Sequence, residues 1–338
     1  MSMKIFLMRK IGLSHNIFIT VNFSHSIQKL RHGRSLHNMK SIFNCGYIKY
    51  LYPFFFVFLL VSGCYTSPIE IKKTDIMKEI IHAEHIVFIG LDGFGSSYIP
   101  KANMPTLKQM IAESSSSMNM QNILPSISWP NWSSLFRGTP PQNQTEADFP
   151  SIFSLIKHSN TGGQKENQIS SFFFQWTELN KICSPDEADK FIIESNYESI
   201  NKVAIHIIEN KPLFTAIVLD EPDTTGHKKA WGTKSYYSTL QILDEFIAII
   251  IQAVKDAGIY DDTVFIISSD HGGYFYSHWL NISKNRKIPF VAFGRGIKKD
   301  YIISSSASIC DIAPTMALCL GLEIPPEWTG TALLEIFE

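Results

Sequence analysis

Asp270 and His271 end an apolar run, Val264–Ile267, and Gly272 and Gly273 follow at once. A carboxylate oxygen beside an imidazole nitrogen suits zinc; the same pair also reads as a strand-end turn with a capping Asp. Two further apolar runs end in the same way. His85–Leu91 leads into Asp92-Gly93-Phe94-Gly95, and Leu213–Leu219 leads into Asp220-Glu221-Pro222-Asp223-Thr224-Thr225-Gly226-His227. His278 comes seven residues after His271. Parallel strands of one sheet deliver their carboxyl ends to a shared edge. Carboxylates gathered there repel one another and resist burial, and multivalent cations remove the conflict. Several oxygens and three nitrogens suffice for two cations with open positions. Two such metals, ~3.5–4 Å apart, clamp the attacking and leaving oxygens of a phosphoryl displacement. The nucleophile is then a hydroxyl. Ser128 stands at a predicted junction of loop and helix, where a helix amino terminus attracts a phosphate oxygen. Asn131, one turn on, can donate to the same oxygen.

The elements that must carry these groups alternate. Strands are expected at His85–Leu91, Ser170–Gln175, Leu213–Leu219, the Val264–Ile267 run and Ile288–Gly294, with Pro289 pushing the last toward an edge or a strand start. Helices are expected at Met104–Ala112, from about Pro130 to Gly138, near Ile152–His158, and at Pro185–Glu194, Tyr197–Glu209, 234–256 and Ile309–Leu320. Leu240, Leu243, Ile247, Ile250 and Val254 keep one face of the longest helix apolar. Ser114–Ser117 reads as a polar break, and 139–168 as mostly loop. Strand–helix alternation without a repeat indicates one α/β domain around a largely parallel sheet. His206, in an apolar helix, reads as a core histidine. Asp220 reads as a turn or supporting carboxylate, and Trp129 and Trp132 suit either packing or stacking on a substrate.

Leu91-Asp92-Gly93, Pro125-Ser126-Ile127-Ser128-Trp129-Pro130-Asn131, Glu221–His227 and Ser269-Asp270-His271-Gly272-Gly273 occur in this order. Together they resemble the alkaline phosphatase superfamily, in its type I phosphodiesterase/nucleotide pyrophosphatase branch, from about residue 84 to the end. The resemblance implies a three-layer α/β/α sandwich and two zinc ions. One zinc would sit on Asp223, His227 and His278, the other on Asp92, Asp270 and His271. Ser128 would be the nucleophile, bridging toward the second metal, and Asn131 would hold a phosphoryl oxygen. Ser126, the rival hydroxyl, matches no motif position. The pattern departs from the nucleotide pyrophosphatases in three places. Ser128 stands where they carry Thr, His278 follows His271 closely rather than after an insertion, and the cap that selects nucleotides has no counterpart. The implied substrate is a small phosphate ester, cleaved through a phosphoseryl intermediate. Phosphomonoester hydrolysis, phospho-group transfer or sulfate ester hydrolysis on the same site is the alternative, although Trp132 replaces the Arg of the sulfatase motif. A catalytically inactive ligand-binding lipoprotein is the alternative outside enzymes.

The amino terminus reads differently. Tyr52–Val61 is a short apolar run, preceded by Lys40 and Lys49 and followed by Ser62-Gly63-Cys64. This is the pattern of a secretory signal, and Val61-Ser62-Gly63-Cys64 resembles a bacterial lipobox, implying a lipid on Cys64. A signal of ordinary length begins at Met39. The expected division is therefore 1–38 as an upstream extension, 39–63 as signal, 64–83 as tether and 84–338 as the catalytic domain. The expected location is a bacterial cell envelope, lipid-anchored, on its periplasmic or outer-surface side. Residues 1–63 hold eight of the 30 Lys and Arg and none of the 31 Asp and Glu, so the remainder carries −9. That balance argues against a basic nucleic-acid groove. Cys183, Cys310 and Cys319 match no zinc or disulfide framework.

Overall fold

β1, His85–Leu91, lies between the two strands that carry the other acidic ends. A computed structural model describes residues 82–141, 149–159 and 169–338, all within the unit Ile71–Glu338. The expected extension, signal and Cys64 lie outside the described residues. Among the described residues, eight strands form one sheet. The others are β2 Ser115–Gln121, β3 Ser170–Phe174, β4 Asp189–Ile192, β5 Phe214–Leu219, β6 Thr263–Ser268, β7 Lys287–Gly294 and β8 Tyr301–Ile302. Their order is β4-β3-β5-β1-β6-β7-β2-β8. The five strands from β4 to β6 are mutually parallel. β7 runs antiparallel to both neighbours, and β8 runs parallel to β2.

Alternate residues of the strands feed two cores, which makes three layers. On one face Phe88, Phe172, Phe214 and Val264 pack with Trp132 and Phe136 of α2 (Ser128–Arg137) and with Phe153 of α3 (Ile152–Ser159). On the other, Val87, Ile89, Ile217 and Phe265 meet Leu107 of α1 (Pro105–Ala112), Val203 of α4 (Tyr197–Asn210) and Leu240 of α6 (Lys234–Asp256). Complete burial of each such side chain contributes about 1.5–3 kcal/mol. This is the mostly parallel α/β/α sandwich expected from the sequence.

Four elements differ from expectation. Ser114–Ser117 is no break: β2 begins at Ser115, whose hydroxyl donates to the carbonyls of Lys298 and Ile336. Backbone acceptors, not an apolar face, make those serines compatible with burial. Pro185–Glu194 holds strand β4 in place of a helix, because Asp189–Ile192 pairs with β3 at the sheet edge. β7 is an inner strand despite Pro289, because β2 slips register between Ser117 and Met120, opposite the proline. The bulge accommodates the missing N–H. Residues Asp223–Lys229 form a short helix, α5, where no helix was expected.

Candidate active site

The site follows from strand register. Leu91 pairs with Leu219 and Gly90 with Ser268. Asp92, Asp220 and Asp270 therefore leave adjacent strands at nearly one level. Gly93 takes φ +70°, and a Cβ there would lie 2.9 Å from the Asp223 Cα. Its lack of a side chain lets the start of α5 close on β1, where Asp223 N–H donates to the Asp92 carbonyl at 3.0 Å. The Gly93 N–H donates to Asp270 Oδ1 at 3.1 Å. Gly272 approaches the Lys284 carbonyl, which a Cβ would meet at 2.1 Å.

His271 Nε2 is the meeting point. It lies 3.1 Å from Ser128 Oγ, 3.2 Å from Asp270 Oδ2 and 3.6 Å from Asp92 Oδ1. His278 Nε2 lies 3.9 Å from Asp223 Oδ1, and His227 Nε2 lies 3.4 Å from Asp223 Oδ2. The His271 and His278 rings stack with centroids 3.8 Å apart. Each histidine uses Nδ1 on a backbone carbonyl: His271 on Gly272 at 2.8 Å, His278 on Ser126 at 2.6 Å and His227 on Tyr276 at 2.9 Å. A carbonyl only accepts, so Nδ1 carries the proton and Nε2 presents a lone pair inward.

The electrostatics are those of crowded acids. Burial first, then Asp270 and Asp223, push the Asp92 carboxyl well above its usual range. Burial first, then Asp270, Asp220 and Glu221, raise Asp223 to about 8. Burial raises Asp270 and Asp220, each to about 6. Burial lowers His271 to about 3 and His278 to about 4, so both imidazoles are neutral at pH 7. Asp92 Oδ1, Asp223 Oδ1 and Asp270 Oδ2 are buried with no hydrogen-bond partner. Buried acceptors without donors are costly, and three of them facing three imidazole lone pairs fit cations. Two groups of potential ligand atoms lie within 4.8 Å of one another: Asp92, Asp270 and His271, and Asp223, His271 and His278. The first matches the expected triad. In the second, His271 takes the place expected for His227, whose half-exposed ring stands just outside.

Ser128 is the first residue of α2, two positions earlier than expected, so its own N–H belongs to the uncapped first turn. Asn131 corrects the expected role. Its side chain is fully buried, and its amide is spent on the loop before α2. Oδ1 accepts from Ile123 N–H at 2.9 Å, and Nδ2 donates to the Pro125 and Ile127 carbonyls at 3.2 and 2.9 Å. Asn131 therefore fixes the loop that delivers Ser128. Ser126 is buried with its hydroxyl held between Asn122 and the Asn285 carbonyl. His206 is a satisfied histidine, bonded to Ser171 Oγ at 2.8 Å. Trp132 packs in the core and also donates from Nε1 to Asp92 Oδ2 at 3.0 Å. Two further residues hold the site together, neither of which the sequence marked for that role. Ser269 Oγ joins Phe94 N–H to the His271 carbonyl, and Trp231 Nε1 donates to the Gly93 carbonyl.

Comparisons with known proteins bear on the family and the fold. The family described as type I phosphodiesterase / nucleotide pyrophosphatase matches residues 86–144 and 161–285. The bis(5'-adenosyl)-triphosphatase enpp4 of Mus musculus is 24% identical over 261 residues, which are 70% of this chain and 54% of that protein. A 2,3-bisphosphoglycerate-independent phosphoglycerate mutase of Antithamnion sp. is 29% identical over 137 residues, 37% of this chain and 25% of that protein. The chain thus spans between a quarter and about half of these two relatives. Among solved structures, an inactive murine ectonucleotide pyrophosphatase / phosphodiesterase 5 in complex with AMP superposes with TM-score 0.61 at 11% identity, covering 75% of this chain and 100% of that chain. A 2-O GAG sulfatase superposes with TM-score 0.62 at 13% identity, covering 75% and 74%. At these identities the structures establish the fold alone. The match through both halves of the site shows that the chain belongs to the type I phosphodiesterase/nucleotide pyrophosphatase family.

Proposed function

We propose that the chain is an exported, metal-dependent phosphoric ester hydrolase acting on small phosphodiesters through a phosphoseryl intermediate on Ser128. One observation carries the reading: three buried, partnerless carboxylate oxygens gather with the inward Nε2 atoms of His271 and His278, and the Ser128 hydroxyl lies beside His271 Nε2. Asp92, Asp270 and His271 would hold one cation, with Ser128 beside it, and Asp223, His227 and His278 the other. Nitrogen and oxygen donors of this kind suit zinc. When bound, the cations lower the pKa of a hydroxyl or water and neutralise phosphate charge.

Ser128 Oγ forms a bond to phosphorus as the bond to the leaving alcohol breaks, and the alcohol takes the proton. Water then cleaves the phosphoseryl bond and restores the hydroxyl. The first-turn N–H groups of Ser128 and Trp129 take the place that Asn131 does not fill, facing a phosphoryl oxygen. The relatives named as a triphosphatase and a phosphodiesterase support phosphorus as the reacting centre. Trp132, which holds Asp92, occupies the position of the sulfatase Arg and speaks against sulfate esters. Export, with a lipid on Cys64, rests on the Val61-Ser62-Gly63-Cys64 stretch. Metal analysis of the purified chain and a panel of p-nitrophenyl phosphate diesters, monoesters and sulfates test the reading. Ser128→Ala is expected to retain metal and lose turnover. Full turnover in that variant removes the nucleophile.

A further inference from the structure

The segment that carries His278 is also the most exposed apolar stretch of the described residues. Phe275 is 60% exposed, Tyr276 57%, Trp279 72% and Leu280 63%. Large contiguous apolar patches on a soluble surface mark interaction sites. These side chains are not outward because their loop is loose. Tyr274 and Ser277 exchange N–H···O bonds of 2.9 and 3.2 Å across a tight turn. The Phe275 carbonyl accepts from Trp231 N–H at 2.8 Å, and the Tyr276 carbonyl accepts from His227 Nδ1 at 2.9 Å. Phe275 is held at φ +55°, a left-handed backbone that bulky residues rarely adopt. The backbone is thus fastened inward while the aromatic groups are presented to solvent.

Charge selects the occupant. Lys284 Nζ lies 4.4 Å from the Tyr274 ring centroid. Lys228 and Lys229, both exposed, directly follow His227, which is bonded to this turn. Between Asp270 and Asp300 the chain carries no carboxylate side chain, whereas Lys284, Arg286 and Lys287 follow the apolar residues. Tyr and Trp with flanking lysines are the side chains favoured at the boundary between lipid headgroups and acyl chains. We propose that Phe275, Tyr276, Trp279 and Leu280, rimmed by Lys228, Lys229 and Lys284, form a docking surface for an anionic phospholipid bilayer. His278 lies within the segment, so docking brings the candidate site to the headgroup layer. The docking surface stands independently of the chemistry proposed for that site.

Trp279 supplies its own reporter. Residues 1–81 contain no tryptophan, so insertion of the amino-terminal apolar run adds no signal. Trp132, Trp231 and Trp328 are buried, and Trp129 and Trp176 are half-buried. The full-length chain is mixed with vesicles of equal parts phosphatidylglycerol and phosphatidylcholine whose acyl chains are brominated. Tryptophan emission is expected to be quenched, and Trp279→Phe to lose most of that quenching. Lys228→Gln, Lys229→Gln and Lys284→Gln combined are expected to lower the salt concentration at which quenching disappears, since each lysine near an anionic surface contributes about fivefold in affinity. An unquenched parent chain, or equal quenching in Trp279→Phe, overturns the proposal. Self-association that Trp279→Phe abolishes, without quenching, assigns the surface to a second copy and overturns it too.

Discussion

Loading the metal-free chain with zinc should expel protons, and their number should fall as pH rises. Asp223, at about 8, holds its proton in roughly nine chains of ten at pH 7. Burial first, then Asp270 and Asp223, push the Asp92 carboxyl in the same direction, well above its usual range. Asp270, at about 6, is protonated in roughly one of ten. His271 and His278, at about 3 and about 4, have none to give. Ligand carboxylates must ionise to bind. From Asp223 and Asp270 alone, filling the site at pH 7 should therefore release roughly one proton per chain, rising to roughly two at pH 5 and falling toward none at pH 9, and the raised Asp92 can only add to this number. Calorimetric titration with zinc in buffers of different ionisation enthalpy reads this number directly. The metal-free chain should show the matching stability trend. An Asp that keeps its proton when folded but loses it near ~3.9 when unfolded makes stability fall as pH rises between those values. The two histidines act in the opposite sense, but only below about 6.5, the pKa they regain on unfolding. Above that the histidines no longer contribute and the raised Asp223 carries the trend, so the melting temperature in chelator should drop from pH 6.5 to 8. Zero proton release at pH 7, with release only below pH 6.5, would mean that ordinary histidines dominate and would refute the crowded-acid account.

Three substitutions separate the supports of the site. Trp132→Phe leaves Asp92 Oδ2 buried without its indole donor and should cost about 1–3 kcal/mol of stability in the metal-free chain, read by urea unfolding, and weaken zinc binding. An unchanged zinc affinity would show that Trp132 only packs. Gly93→Ala puts a methyl group against Asp223 at positive φ; about 1–3 kcal/mol of backbone strain and weaker metal binding are expected, whereas parent-like affinity would mean that α5 shifts freely. Asn131→Ala leaves the Ile123 N–H and two loop carbonyls without their partner. Stability should fall by about 1–3 kcal/mol, and kcat should drop more than KM rises, because Ser128 is misplaced rather than substrate binding lost. A change in KM alone would return Asn131 to the substrate.

The apolar runs of β1, β5 and β6 were legible in the sequence because burial on both faces of a parallel sheet leaves an uninterrupted local signal. Their acidic ends were legible for the same reason: register follows from strand length, and strand length is written in the chain. β2 was not legible, since Ser115 is stabilised by carbonyls of Lys298 and Ile336 that lie far along the sequence. The inner place of β7 required a bulge in another strand. Asn131 and Ser128 share one motif, yet only the folded loop decides that one amide turns inward while the hydroxyl faces His271. The proton on each imidazole Nδ1 was likewise settled by carbonyls of Gly272, Ser126 and Tyr276. Residue type and spacing determined which groups reach the sheet edge. Which atoms point at one another depended on hydrogen bonds between distant segments, because those partners meet only when the chain is folded.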